Sequence, residues 1–227
     1  RSTWWRCSPR LRLGVTDEYT RALEEGELEP IGTREMLRRQ GYNIFIGSFA
    51  ALASYALFHM VTIFPLSWIS FNESQSIHDV LGVQLAGAVL AVFGTIASGW
   101  IADRIGKRTT VALLACLIGV FALFTPMLLD GSPIQQDAFI LIGFALLGVS
   151  YGQAAGTVTT NFERRFRYTG AALTSDFAWL FGAAFAPLVA LGLSANFGLA
   201  YVSVYLLSGV VCTLLALRIN KSLEASD

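Results

Sequence analysis

The chain has 227 residues, of which 54% are apolar and only 14% charged, with a mean hydropathy of +0.57. Soluble domains carry about 25% charged residues, so this composition excludes an ordinary water-soluble globule and points to a membrane protein. The 16 Lys and Arg balance 16 Asp and Glu, which leaves no net positive field to attract nucleic acid.

Residues 1–41 differ in kind from the rest. The stretch from Asp17 to Arg39 is rich in Glu and Arg, and Pro30 with Gly32 divides it. We read a cytoplasmic linker with one or two short helices. The second opens near Thr33, is followed by Met36 and Leu37, and carries Arg38 and Arg39 to the membrane surface. The chain opens on Arg1 with no charged, apolar and cleavage-site pattern, so we expect no signal peptide and further chain upstream.

Six apolar runs follow, at about residues 42–69, 80–102, 110–129, 138–160, 170–193 and 199–217. Each approaches the roughly 20 residues that a helix needs to cross a 30 Å hydrocarbon core. Turn signals separate them, among them Asn72-Glu73-Ser74, Asp130-Gly131-Ser132-Pro133 and Asn196-Phe197-Gly198. The runs lack the alternation of a barrel strand, so the fold class is an all-α membrane protein with six transmembrane helices. Residues 42–218 form the bundle and residues 219–227 a cytoplasmic tail.

Charge position orients the chain. Eight of the 16 basic residues lie in residues 1–39, and the others are Arg104, Lys107, Arg108, Arg164, Arg165, Arg167, Arg218 and Lys221. Six crossings put every cluster on one side, while the opposite loops hold Glu73, His78, Asp79, Asp130 and Asp137. By the positive-inside rule the basic side is cytoplasmic and both termini are inside.

Within the runs, polar residues are few. Asp176 sits about 10 Å into the fifth run and reads two ways. It is either a carboxylate that gains and loses a proton as its access to water changes, or a shallow residue that reaches solvent and bends the helix. Tyr55 and His59 are four apart and share a face. A neutral imidazole there suits a substrate carboxylate or an interhelical bond. Gln84, Tyr151, Gln153 and Trp179 complete the set, and Trp179, three residues after Asp176, sets an aromatic wall beside the carboxylate. No spacing makes a metal site, and Cys7, Cys116 and Cys212 support neither a disulfide framework nor zinc.

Gly148, Gly152 and Gly156 recur at every fourth position of the fourth run and form a smooth stripe for close helix packing. Pro65, Pro126 and Pro187 lie late in their segments, where each should kink or soften the helix.

The strongest local motif is Gly99-Trp100-Ile101-Ala102-Asp103-Arg104-Ile105-Gly106-Lys107-Arg108, between the second and third runs. Gly99 allows close packing, Gly106 makes a tight turn, and Lys107 and Arg108 hold the headgroup level. Asp103 is placed to accept from the free amides opening the next helix. This Gly-x-x-x-Asp-Arg-x-Gly order resembles the signature loop of the major facilitator superfamily. Its place after a charged segment and two of six helices is similar to the second-half copy of that loop.

The resemblance extends to Leu11-Arg12-Leu13, Thr16-Asp17-Glu18-Tyr19, Phe64-Pro65-Leu66-Ser67 and Arg167-Tyr168-Thr169-Gly170-Ala171-Ala172-Leu173. These look like the metabolite/proton symporter family, whose members carry shikimate, alpha-ketoglutarate, citrate, or proline and betaine. Two departures stand out: Thr160-Asn161-Phe162-Glu163 replaces the family's Glu-x-Phe-Pro, and Ser175-Asp176 replaces a frequent Tyr-Gln.

The resemblance implies the C-terminal half of a twelve-helix carrier, with Gly99, Asp103, Arg104, Gly106, Lys107 and Arg108 as a gating loop. Arg167, Tyr168, Thr169 and Gly170 would form the family's cytoplasmic element. It further implies a proton-driven symporter for a small organic acid or zwitterion, completed by an N-terminal six-helix half in the cytoplasmic membrane, and not an enzyme. The other reading of the residues is a non-transporting six-helix anchor or assembly partner.

Overall fold

The computed structural model describes residues 33–72, 74–159, 162 and 166–219. They fold as helices: α1 (Thr33–Ala50), α2 (Leu52–Thr62), α3 (Phe64–Phe71), α4 (Ile77–Ile105), α5 (Lys107–Leu129), α6 (Pro133–Thr159) and α7 (Arg167–Trp179). A π-helical segment (Leu180–Ala184), α8 (Ala186–Phe197) and α9 (Leu199–Ile219) follow. Among the described residues six stretches are long and apolar enough to cross a membrane: Leu52–Phe71, Ile77–Ile105, Lys107–Leu129, Pro133–Ala154, Tyr168–Phe197 and Leu199–Ile219. The six-run reading and this bundle agree in number and order.

The first apolar run, residues 42–69, is not one helix. Between α1 and α2 the hydroxyl of Thr213, on α9, inserts into the helical ladder. It accepts from the Ala53 amide at 2.9 Å and donates to the Phe49 carbonyl at 3.1 Å, replacing the bond those two groups would make to each other. A second break at Ile63 precedes Pro65, which starts α3 where its missing amide hydrogen costs nothing. Gln84 of α4 donates 2.8 Å to the Thr62 carbonyl at that break.

Ser76 caps α4 by accepting from the Asp79 amide at 3.2 Å. The glycine stripe is the reason α4 lies against α6. A Cβ on Gly148 would lie 2.5 Å from the Ala91 Cα, and one on Gly152 would meet the Ser98 hydroxyl and Thr95. From the other side, Gly94 faces the Val149 amide and the Ala145 carbonyl. The Thr95 hydroxyl closes the seam with 3.0 Å to the Gly148 carbonyl. The surroundings of Gly156 lie outside the described residues.

Gly106 alone joins α4 to α5, at φ 83° and ψ 146°, a region that favours glycine. Pro126, expected to kink its segment, instead lies inside the continuous helix α5, in the last full turn before Asp130. So near the terminus the lost backbone bond disturbs little downstream helix. Pro187 does coincide with irregularity: it is the second residue of α8, directly after the π-helical segment and Phe185.

The core is built from Leu57, Met60 and Phe64 of the first span against Ile118 and Phe121 of α5 and Phe139 and Ile140 of α6, all at most 5% exposed. Alternating crossings place Arg34, Arg38, Arg39, Arg104, Lys107, Arg108 and Arg218 at one end of the bundle. At the other end Gln75 donates to Gln136 at 2.9 Å and to Asp137 at 3.3 Å, tying the α3–α4 connection to α6.

Candidate functional site

Between its two breaks the first run presents Tyr55, Phe58 and His59, and these meet Tyr151 of α6 and Trp179 of α7. The Trp179 ring lies 5.1 Å from Tyr55, 5.2 Å from Phe58, 6.0 Å from His59 and 6.4 Å from Tyr151, centroid to centroid. All four pairs are edge to face, the arrangement favoured by the ring quadrupoles. Four of the residues singled out from sequence thus form one aromatic cluster, with Phe58 added.

The polar atoms of the cluster differ in how they are satisfied. The Tyr55 ring is buried at 3% exposure, and its hydroxyl meets the Ser175 side chain. His59 Nδ1 is buried and makes no hydrogen bond among the described residues. Since buried polar atoms are normally paired, this nitrogen is the chemically open group of the cluster.

Asp176 lies on the exposed side of α7. The helix turns Gly170, Thr174 and Ala178 inward, and a residue two positions from Thr174 points to the opposite side. Asp176 is therefore turned away from the packed interior, while Trp179 is at the centre of the cluster.

Gln84 and Gln153 are placed elsewhere. Gln84 serves the Thr62 carbonyl, and Gln153 donates 3.2 Å to the Ser98 hydroxyl across the α4–α6 seam.

The signature loop is a helix end, a one-residue turn and a helix start. Arg104 stacks over the Trp100 ring at 3.9 Å, one turn apart on α4. Gly99 has open space around it, and Asp103 is exposed. The expectation that Asp103 caps the next helix is corrected: α5 carries no side-chain cap. Its first turn is closed by Thr110, whose amide and hydroxyl bond the Gly106 carbonyl at 3.0 and 2.8 Å. Asp103 belongs to the last turn of α4, before the chain reverses. Lys107 is half-buried, and Arg108 reaches across to the Leu217 carbonyl at 3.0 Å.

In the second element, Arg167 opens α7, with its side chain outside the described residues. Tyr168 is 89% exposed, Thr169 is half-buried and Gly170 is buried. A Cβ on Gly170 would lie 2.5 Å from the Met36 terminal methyl and 2.7 Å from the Phe162 ring. The first turns of α1 are therefore seated on this glycine through a side chain that sequence reasoning assigned no role. Thr160, Asn161 and Glu163, and the linker motifs at 11–13 and 16–19, lie outside the described residues.

Sequence reasoning noted Ser175 only beside Asp176 and missed Gly182. A Cβ on Gly182 would be 3.0 Å from the Tyr55 Cβ, so the π-helical segment approaches the cluster closely because it has a glycine there. The Tyr205 hydroxyl donates 3.3 Å to the Gly182 carbonyl, which holds that irregular turn. A tyrosine inside an apolar run was the available signal. Among the described residues no three His, Cys, Asp or Glu side chains gather as a metal set.

The chain is 32% identical over 197 residues to the Escherichia coli K12 protein named "Inner membrane metabolite transport protein YhjE", covering 84% of this chain and 44% of that one. Two Haemophilus influenzae proteins named for metabolite transport are 28% and 30% identical, over 96% and 92% of this chain and 52% and 49% of theirs. The chain spans about half the length of these curated relatives. No solved structure matches it. The sequence model of the Major Facilitator Superfamily matches residues 10–179, three quarters of the chain. With six membrane helices and the signature loop in place, the chain belongs to the major facilitator superfamily, a family of non-catalytic membrane carriers.

Proposed function

We propose that this chain is the C-terminal half of a proton-coupled symporter for a small organic acid or zwitterionic metabolite, of the metabolite/proton symporter type. The single observation that carries the reading is the cluster of Tyr55, Phe58, His59, Tyr151 and Trp179, drawn from three spans around an unpaired imidazole nitrogen. An aromatic wall with one open hydrogen-bonding group suits a small polar ligand that must be held and then released.

His59 Nδ1 would meet a substrate carboxylate or amide, and Trp179, Tyr55 and Tyr151 would flank it. Asp176 would carry the coupling proton. Transport follows from rocking this bundle against an N-terminal six-helix half about the shared site. The loop Gly99 to Arg108 and the element Arg167 to Gly170 would contact that half in alternate states. The positive-inside rule supports placing the cation-bearing end and both termini in the cytoplasm, and the name of the E. coli relative supports the inner membrane.

Uptake of labelled organic acids into vesicles carrying the full-length protein tests this. His59→Ala should lower uptake at least tenfold at an unchanged protein level. Asp176→Asn should abolish accumulation against a gradient while sparing exchange, as an uncoupler should in the parent protein. If Asp176→Asn and the uncoupler both leave accumulation intact, proton coupling is wrong. A full-length protein that binds and moves no organic acid or zwitterion is the anchor instead.

A further inference from the structure

We propose that the groove between α5 and α9, at the cation-bearing end, binds an anionic phospholipid. The groove has a volume of about 430 Å³, within the range of small-ligand sites. Ala112 on one side and Val211, Leu214 and Leu215 on the other make its wall, and Arg108 and Arg218 lie at its rim.

The order along each helix matters. Arg108 and Ala112 are four apart on α5, and Val211, Leu215 and Arg218 follow a single stripe of α9. Each wall therefore runs from an apolar floor to a guanidinium, about 10 Å from Val211 to Arg218 at helical rise. Val211 and Leu215 are 54% and 53% exposed, so the floor opens sideways, toward acyl chains when the helices span a bilayer. The Leu217 carbonyl, among the last unsatisfied acceptors of α9, holds Arg108 in position at 3.0 Å.

Among the described residues no carboxylate lines the groove. Two guanidiniums above an apolar slot complement a phosphate on an acyl chain, with forked donors matched to the phosphate oxygens. A soluble anion would leave the apolar floor unused, and a wholly apolar helix would leave the Arg218 charge at the rim unused. The inference rests only on α5 and α9 crossing a membrane and is independent of the transport reading.

The test uses full-length protein, delipidated in detergent and titrated with dioleoylphosphatidylglycerol, with dioleoylphosphatidylcholine as the zwitterionic control, bound lipid being counted by native mass spectrometry. The anionic lipid should bind in preference. Arg218→Gln should weaken it about fivefold and the pair Arg108→Gln/Arg218→Gln more than tenfold, with the control lipid unaffected. Replacing both arginines with lysine should retain more affinity than the Gln pair, which separates a charge effect from a folding defect. Leu215→Trp, filling the floor without touching charge, should also weaken binding.

Equal retention of the two lipids, or an unchanged double Gln variant, overturns the proposal. So does displacement by glycerol 3-phosphate alone, which would mean a soluble-anion site. A disulfide or cross-link from Val211→Cys to the upstream half would show that protein covers the groove, with the same consequence.

Discussion

The first apolar run, residues 42–69, is broken twice and largely buried, whereas α4 runs 29 residues without interruption and leaves most of its surface uncovered. Backbone groups inside a bilayer have no water to turn to, so a break persists only where another helix supplies the missing partner. Thr213 and Gln84 do this for the first run. The unbroken α4 satisfies its own backbone and needs only a narrow seam of small residues to stay attached. The candidate site lies on the broken run, between its two breaks.

The largest effect should come from the seam of α4. Gly148→Leu would press a side chain into the Ala91 backbone, which has no side-chain freedom to yield, at a cost of about 3 kcal/mol or more. Loss of full-length protein from membranes, or a clear fall in its detergent melting temperature, is the outcome expected. An unaltered melting temperature would mean the two helices are not in backbone contact.

At the broken run, Thr213→Val keeps the shape but removes the inserted hydroxyl. It leaves the Ala53 amide and Phe49 carbonyl to find each other or remain unpaired, and should cost about 1–3 kcal/mol. Amide exchange at Ala53 should quicken; unchanged protection there would show that the hydroxyl does not bridge the break. Gln84→Leu should cost less, about 1 kcal/mol, because the half-buried Thr62 carbonyl is nearer to alternatives. Its melting shift should be smaller than that of Thr213→Val, and the reverse order would undo this ranking.

Smallest of all, Arg104→Gln removes an exposed stacking contact on Trp100 and should cost about 0.5 kcal/mol, within a degree or two of the parent melting temperature. A larger loss would mean that this end of α4 is held by more than packing against α6.

How much of this could be read from residues follows the same division. The unbroken helices and the glycine turn were legible, because apolar length, glycine spacing and the Gly106 signal are local properties. The close-packing face of α6 was visible in Gly148 and Gly152 for the same reason, but not that α4 is its partner. The break after Ala50 was not, since its cause, Thr213, lies 160 residues from Ala53 in sequence. Likewise the pairing of Tyr55 with Trp179 depends on which spans are neighbours, and periodicity gives only the face on which each residue sits. Gln84 and Gln153 looked equivalent to Tyr151 as polar residues in apolar runs. Only their neighbours, a broken helix end for one and Ser98 for the other, give them different work.

The turn at Gly106 couples motion as well as direction. With one residue between α4 and α5, and Arg108 anchored to the end of α9, the three helix ends make a stiff crank. With so short a connection, a tilt of α4 is expected to reach the first turn of α5 and, through Arg108, the end of α9.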